Sequence, residues 1–132
     1  MRKKITIIEN DKTIAKMYRF KLENAGFDID IAHSGPDGLH LVKNKQPHLV
    51  LLDLRLPHMN GDEILKHIRQ NEWGKAIKVI ITANVHRRYA PDTLNRLDFE
   101  HYLVKANYTP SQLLEIIREV LPQNDSHRLV EA

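Results

Sequence analysis

Short apolar runs recur along the chain at intervals that suit alternating strands and helices. Residues 5–8, 49–52, 79–81 and 102–104 form four such runs. Because none of them alternates with polar residues, each is typical of a strand covered on both faces, as in a parallel sheet. A fifth stretch, residues 27–32, does alternate and predicts a strand at the edge of the sheet.

Helical patterns with recognisable start and stop signals fill the first intervals. Asp11 is placed to cap a first helix that closes at Gly26. Ser34 precedes a second helix with a proline in its first turn, and a third helix follows Gly61. The first half of the chain therefore predicts alternating strands and helices joined by short loops.

The second half contains one weak and one strong helical signal. Pro91 would break a helix that ran through it, so we predict a short fourth helix starting near this residue. Thr109 and Pro110 open a last helix with the clearest amphipathic pattern in the chain. The whole order predicts an α/β fold with a doubly wound parallel sheet and helices on both faces.

Length and composition restrict the class of protein. With 132 residues, we expect one domain over residues 1–122, followed by a tail or linker stub over residues 123–132. The chain has no cysteine, which excludes disulfides and thiolate metal sites and favours the reducing cytoplasm. No apolar stretch reaches the roughly 18 residues of a membrane span, so no membrane partner is expected.

Charge adds little to this description. Twenty Lys and Arg against seventeen Asp and Glu leave a formal net charge of +3. The basic residues are scattered rather than lined along one helix, and no zinc-finger or aromatic RNA-binding motif is present. We therefore expect a mixed-charge surface and no direct binding of nucleic acid.

Polar residues follow each apolar run, where a parallel sheet places its ligands. They are Glu9, Asn10 and Asp11, then Asp53, then Thr82, Ala83 and Asn84, and finally Lys105. Oxygen ligands beside a hydroxyl and an ammonium group suit Mg²⁺ together with a phosphoryl group. An aspartate in such a place can act as a nucleophile and become an aspartyl phosphate.

Each of these residues also has a purely structural interpretation. Asp53 could be only a helix cap, Thr82 an ordinary strand residue and Lys105 a surface cation. Their position at the same end of consecutive predicted core strands is difficult to attribute to chance. We therefore expect Glu9, Asp53, Thr82 and Lys105 to share one pocket.

These residues give the chain a resemblance to the CheY-like receiver domain of two-component response regulators. The resemblance covers about residues 3–121 and depends on "ITIIEND", "PHLVLLDLRLPHMNGDEIL", "VIITAN" and "YLVKANYTPSQLLEII". It implies a flavodoxin-like sheet with strand order 2-1-3-4-5. It also implies that Asp53 accepts a phosphoryl group from a histidine kinase, a histidine phosphotransfer protein or a small acyl phosphate.

The resemblance assigns further roles by position. Glu9 and Asn10 occupy the positions of the acidic pair that holds Mg²⁺, with Asp53 and the backbone carbonyl of Arg55 as further ligands. Thr82 and Lys105 resemble the hydroxyl and the ammonium that contact the phosphoryl group.

Tyr102 resembles the aromatic residue that turns inward when Thr82 moves. The output surface implied is the family's fourth helix, fifth strand and fifth helix, which contacts a downstream protein or a second copy of the chain. The resemblance implies a signalling domain that catalyses at most its own phosphorylation and dephosphorylation.

Two positions depart from the family pattern. Asn10 stands where a metal-binding acid is usual, so we expect weaker Mg²⁺ binding. Asp11 could supply the missing carboxylate, but it is better suited to cap the first helix. Ala106 follows Lys105 where proline, often with a cis bond, is common. A cis bond before alanine would cost about 3 kcal/mol, so we expect a differently shaped loop there.

Three other functions remain to be compared with a phosphorylated switch. A receiver-like interaction module that has lost phosphorylation is favoured by Asn10. A phosphatase of the haloacid dehalogenase type would need an aspartate as general acid where this chain has Arg55. A nucleotide-binding fold is disfavoured, because the chain lacks the glycine-rich motifs that such folds use.

Overall fold

The computed structural model describes residues 2–122 and contains one five-stranded parallel sheet. The strand order is β2-β1-β3-β4-β5, which confirms the predicted order 2-1-3-4-5. The strands are β1 (Lys4–Ile8), β2 (Asp28–Ala32), β3 (Leu49–Asp53), β4 (Lys78–Ala83) and β5 (His101–Val104). The α-helices are α1 (Lys12–Asn24), α2 (Gly35–Lys45), α3 (Gly61–Gln70) and α4 (Pro110–Val120). The predicted tail, residues 123–132, lies outside the described residues.

The helix ends follow the signals in the sequence. Asp11 caps α1 by accepting hydrogen bonds from the backbone N–H groups of Thr13 and Ile14. Gly26 follows this helix with a φ of 99°, a left-handed conformation that suits glycine. At α4, the Thr109 side chain and Gln112 form a reciprocal capping box. These caps confirm the predicted starts of α1 and α4.

The sheet separates two apolar layers. Alternate residues of the central strands pack against α2 and α3 on one face and against α1 and α4 on the other. The first layer contains Ile8, Val50, Leu52, Val79 and Ile81, and the second contains Ile5, Ile7, Leu49, Leu51 and Ile80. Because both faces are covered, these strands have no polar alternation, as the apolar runs predicted.

The prediction of a fourth α-helix between β4 and β5 is wrong. Between β4 and β5 the chain forms two short 3₁₀ turns, Arg87–Tyr89 and Asp92–Arg96, with Pro91 as the residue before the second. Proline forces the preceding residue into extended conformation, and Ala90 has a ψ of 159°. The start near Pro91 is therefore correct, but no α-helix forms in this segment, and the last helix is α4.

The loop after β5 also differs from the family pattern, as expected. Residues 2–122 contain no cis peptide bond, so Lys105 and Ala106 are joined in trans. Lys105 instead begins a single 3₁₀ turn, Lys105–Asn107, that leads to α4. None of the helices within residues 2–122 is both long and apolar enough to cross a bilayer.

Candidate functional site

The carboxyl edge of the sheet brings the predicted polar residues together. Glu9 directly follows β1, Asp53 is the last residue of β3, and Lys105 directly follows β5. Thr82 lies beside Asp53 in the register of β3 with β4. Since all five strands are parallel, their carboxyl ends form one edge, and these side chains lie there as expected.

Lys105 makes the central contact of the site. Its Nζ lies 2.8 Å from Oε1 of Glu9 and 3.1 Å from Oδ2 of Asp53. The side chains of Glu9 and Asp53 are only 2% and 5% exposed, and that of Lys105 is 11% exposed. A single ammonium group therefore holds two nearly buried carboxylates at the end of β1 and β3.

The remaining carboxylate oxygens contact the backbone of the following loops. Oε2 of Glu9 accepts a hydrogen bond of 3.0 Å from the N–H of Asp11. Oδ1 of Asp53 accepts a longer one, 3.4 Å, from the N–H of Arg55. These contacts hold both carboxylates at the carboxyl edge of the sheet.

Thr82 and Tyr102 connect this site to the neighbouring surface. Thr82 is buried, and its carbonyl accepts a hydrogen bond of 2.9 Å from the N–H of Leu54, just after Asp53. Tyr102 in β5 donates its hydroxyl hydrogen to the carbonyl of Val85, at 2.8 Å. The loop that leaves β4 is thereby attached to β5 three residues after Thr82.

Comparison with known proteins places this chain within one family. Residues 5–118 match the response regulator receiver domain. The chain belongs to this family. Receiver domains are the signalling domains of two-component response regulators and are not enzymes in the ordinary sense.

Individual relatives agree with the family match. The response regulator ArlR of Staphylococcus saprophyticus is 32% identical over 130 residues, which cover 97% of this chain and 56% of ArlR. The CheY-like receiver domain of Methanospirillum hungatei is 26% identical with a TM-score of 0.84, covering 96% of this chain and 99% of that one. The Mn²⁺-bound form of response regulator Rcp1 is similar in fold, with 23% identity, a TM-score of 0.74, and coverage of 89% and 92%. This receiver domain spans about half the length of the curated relatives it matches.

Burial and neighbouring charges change the acid–base properties of the site. Burial raises the pKa of Glu9 above its usual value, although the hydrogen bond from Lys105 acts in the opposite direction. Burial acts to lower the pKa of Lys105, but its contacts with Glu9 and the charge of Asp53 outweigh this effect, and the pKa is raised. Lys105 therefore stays protonated, while the ionised form of Glu9 is disfavoured by folding.

Glu9→Gln is expected to stabilise the receiver domain at neutral pH. Because the pKa of Glu9 is raised in the folded state, its contribution to stability is present below the unfolded value of 4.5 and is lost as pH rises through the folded value. Removing the charge should raise the free energy of unfolding at pH 7 by about 1 kcal/mol, a gain that disappears near pH 4.

Urea unfolding of both proteins at the two pH values measures this difference. Glu23→Gln is the matched control, since Glu23 forms only an exposed pair with Arg19 and should have little effect at either pH. A Glu9→Gln protein less stable than wild type at pH 7 would mean that the ion pair with Lys105 outweighs the cost of burying the carboxylate.

The position of Asn10 distinguishes this site from one with three carboxylates. Asn10 is exposed beside Glu9, and Asp11 is engaged as the cap of α1. No group of three or more His, Asp or Glu side chains converges on a metal position within residues 2–122. Because the Asp11 side chain caps α1, it is less available to replace the metal-binding carboxylate that is missing at position 10.

Two contacts of the site were not found from the sequence. The carbonyl of Val85 holds the Tyr102 hydroxyl, and the N–H of Asp11 holds Glu9. Both are backbone groups, which every residue carries, so the sequence contains no signal for either. Arg55 is the second residue after β3, and its carbonyl, predicted as a metal ligand, is likewise a backbone group.

Proposed function

We propose that this receiver domain accepts a phosphoryl group on Asp53 from a histidine kinase or a histidine phosphotransfer protein in the cytoplasm. A small acyl phosphate is proposed as an alternative donor. The proposal depends on one observation above all, the position of Lys105 between Glu9 and Asp53 at 2.8 and 3.1 Å. This arrangement places the proposed nucleophile Asp53, the carboxylate of Glu9 and the ammonium group of Lys105 together at one nearly buried position.

The chemistry of this transfer needs mainly positioning and charge compensation. A carboxylate oxygen of Asp53 attacks phosphorus while the bond between phosphorus and the donor's imidazole nitrogen breaks. The imidazole, protonated on its other nitrogen, leaves as a neutral ring. With an acyl phosphate as donor, the bond between phosphorus and the bridging oxygen breaks and the acyl group leaves as a carboxylate. Lys105 compensates negative charge on the phosphoryl oxygens, and the Thr82 hydroxyl can donate a hydrogen bond to one of them.

The donor set of the site is compatible with Mg²⁺. Proteins commonly bind this ion through one or two carboxylates, with water and phosphate oxygens completing the octahedron. Glu9, Asp53, the amide oxygen of Asn10 and the carbonyl of Arg55 would hold it. When bound, Mg²⁺ neutralises charge on the transferring group, and we expect weak binding because Asn10 replaces a carboxylate.

We infer that phosphorylation alters the surface around β5. An aspartyl phosphate carries nearly two negative charges and three acceptor oxygens, which can attract Thr82 and Lys105. About 3 kcal/mol of differential contact would change the ratio of two conformations by roughly 100-fold. The hydrogen bond from Tyr102 to Val85 supports this coupling, because it joins the loop after Thr82 to β5.

Intact mass spectrometry tests the proposed reaction. Wild type incubated with Mg²⁺ and a small acyl phosphate should gain the mass of one phosphoryl group. Asp53→Asn, which preserves size but removes the nucleophile, should gain none. A gain in both proteins, or in neither, would contradict phosphorylation at Asp53.

Asn10→Asp should strengthen Mg²⁺ binding by about tenfold, since a third carboxylate raises the ligand charge. Calorimetric titration of the two proteins measures this change. Asn24→Asp adds the same charge at the far end of α1 and should leave the affinity unaltered. Equal affinities for Asn10→Asp and wild type would contradict the proposed ligand set.

The same variant tests the second candidate function. The exposed Asn10 favours an interaction module that has lost phosphorylation. If wild type gains no phosphoryl group but Asn10→Asp does, this second function is preferred. If wild type is itself phosphorylated, the module is excluded.

A further inference from the structure

His33 contacts the backbone of a proposed metal-binding residue. It lies directly after the edge strand β2, and it is half-buried. Nδ1 of His33 is 3.0 Å from the carbonyl oxygen of Glu9, 24 residues earlier in the chain. Because a carbonyl oxygen can only accept a hydrogen bond, Nδ1 carries the hydrogen and donates it. The phosphoryl transfer proposed above makes no use of this side chain.

Glu9 is held by its backbone as well as by its carboxylate. Its N–H donates to the carbonyl of Ala32 at 3.0 Å, and its own carbonyl accepts from His33. Oε2 accepts from the N–H of Asp11, and Oε1 contacts Lys105. Two of these four partners are backbone groups, which every residue carries. Apart from the ion pair with Lys105, the bond from His33 is therefore the contact that a side-chain substitution can remove.

The bond from His33 fixes the peptide unit between Glu9 and Asn10. This planar unit contains the Glu9 carbonyl, and its orientation sets the direction in which Asn10 leaves β1. On the other side of Asn10, the side chain of Asp11 is held as the cap of α1. Asn10 itself is exposed, so its amide oxygen is positioned mainly by the backbone on either side.

The segment that carries His33 also contacts the loop after Asp53. The N–H of Gly35 donates to the carbonyl of Pro57 at 3.1 Å. A Cβ atom at Gly35 would collide with the carbonyl oxygen of Met59, so the two segments are in direct contact. The residues that follow β2 therefore connect the two loops that carry the proposed metal ligands.

We propose that His33 is a positioning residue for the metal side of the site. By donating to the carbonyl of Glu9, it holds Glu9 and Asn10 in the orientation in which they would bind Mg²⁺. Groups that hold metal ligands in place commonly change metal affinity by about 10- to 100-fold when they are removed. Since the Mg²⁺ site belongs to the proposed function, this role of His33 rests on it.

His48 provides a matched control at the other end of the same strand. Its Nδ1 also lies 3.0 Å from a backbone atom of β1, the nitrogen of Lys4. Lys4 is the first residue of β1 and lies at the amino edge of the sheet, away from Glu9. Because the N–H of Lys4 donates, His48 accepts through Nδ1 and carries its hydrogen on Nε2. The two histidines thus contact the two ends of β1 in opposite tautomers.

Calorimetric titration of the full chain with Mg²⁺ at neutral pH tests the role of His33. His33→Phe keeps an aromatic ring but removes the donor, and it should weaken Mg²⁺ binding by about tenfold. His33→Asn places an amide N–H near the position of Nδ1 and should recover most of the affinity. His48→Phe should bind Mg²⁺ as wild type does, although it also loses a bond to β1.

Unchanged Mg²⁺ affinity of His33→Phe would overturn the inference. Equal losses in His33→Phe and His33→Asn would do so as well, because the shape of the ring rather than the donated hydrogen would then matter. An equal loss in His48→Phe would reduce the effect to a general weakening of β1. If wild type binds too weakly to titrate, the same variants are compared in the Asn10→Asp background, where the same order is expected and absence of binding also counts against His33.

The histidine tautomers of the wild-type protein give a test that needs neither a variant nor a bound metal. Two-bond NMR correlation spectra of the imidazole hydrogens and nitrogens distinguish Nδ1–H from Nε2–H at alkaline pH, where histidine is neutral. We expect Nδ1–H for His33 and Nε2–H for His48. Hydrogen on Nε2 of His33 would overturn the inference, since its Nδ1 could not donate.

Intact mass after treatment with Mg²⁺ and a small acyl phosphate separates the role of His33 from the proposed function. A phosphoryl gain in wild type, together with unchanged Mg²⁺ affinity of His33→Phe, rejects His33 and keeps the proposed function. Weaker Mg²⁺ binding of His33→Phe without any phosphoryl gain in wild type supports His33 and rejects phosphorylation of Asp53.

Discussion

Lys105→Met is expected to lower the free energy of unfolding by about 3 kcal/mol at pH 7, because it leaves two nearly buried carboxylates without their cation. Lys105 contacts both Glu9 and Asp53, and no other ion pair of the described chain includes either acid. Chemical denaturation followed by circular dichroism measures the loss. Phosphorylation should also fail to alter the β5 surface, since the phosphoryl group would lack its ammonium partner.

Lys75→Met provides a matched control for this effect. Lys75 lies 2.7 Å from Glu72, as close as Lys105 lies to Glu9, but both side chains are exposed. Exposed pairs contribute about 0 to 1 kcal/mol, so the control should be nearly neutral. The deficit of Lys105→Met should also shrink toward acidic pH, where Glu9, with its raised pKa, becomes protonated. Equal stability of the two variants would contradict the central role of Lys105.

Gly61→Ala is expected to lower the free energy of unfolding by about 2 kcal/mol and to impair phosphorylation. A Cβ atom at Gly61 would lie 2.5 Å from the carbonyl oxygen of Asp53 and 3.0 Å from the Cα of Leu54. The N–H of Gly61 also donates to the carbonyl of Leu54 at 2.8 Å, so these backbone segments cannot simply separate. The clash would displace the peptide unit that carries Asp53.

Gly26→Ala separates this steric effect from the general loss of a glycine. Gly26 has open space around its Cα, but its φ of 99° should make alanine cost about 1 kcal/mol. Thermal unfolding and intact mass after treatment with an acyl phosphate are measured for both variants. We expect normal phosphorylation of Gly26→Ala, and a fully phosphorylated Gly61→Ala would contradict the proposed contact with Asp53.

Much of the fold could be predicted because the relevant signals are local. Caps such as Asp11 and Thr109 act on backbone groups within three residues of themselves. The apolar runs predicted β1, β3, β4 and β5, and the first three are covered on both faces and need no polar alternation. Cover on both faces was wrong for β5, which lies at the edge of the sheet and is half-buried. The segment around Pro91 was harder, because a proline indicates an interruption but does not say which helix type follows it.

The candidate site was predictable in its membership but not in its geometry. A parallel sheet brings its strand ends to one edge, so the sequence alone was sufficient to group Glu9, Asp53, Thr82 and Lys105. That Lys105 lies between the two carboxylates depends on side-chain directions set by three separate strands and loops. Such distances arise only when residues remote in sequence are packed together.

By itself, the sequence determined the five strands, the four α-helices outside the Pro91 segment, the caps, the carboxyl edge that carries the polar residues and the departure at Asn10. Only the tertiary structure decided the bridging position of Lys105, the bond from Tyr102 to the Val85 carbonyl and the 3₁₀ turns between β4 and β5. The reason is physical. Periodicity and capping act over a few neighbouring residues, whereas buried ion pairs, backbone acceptors and grooves are created by packing between distant segments.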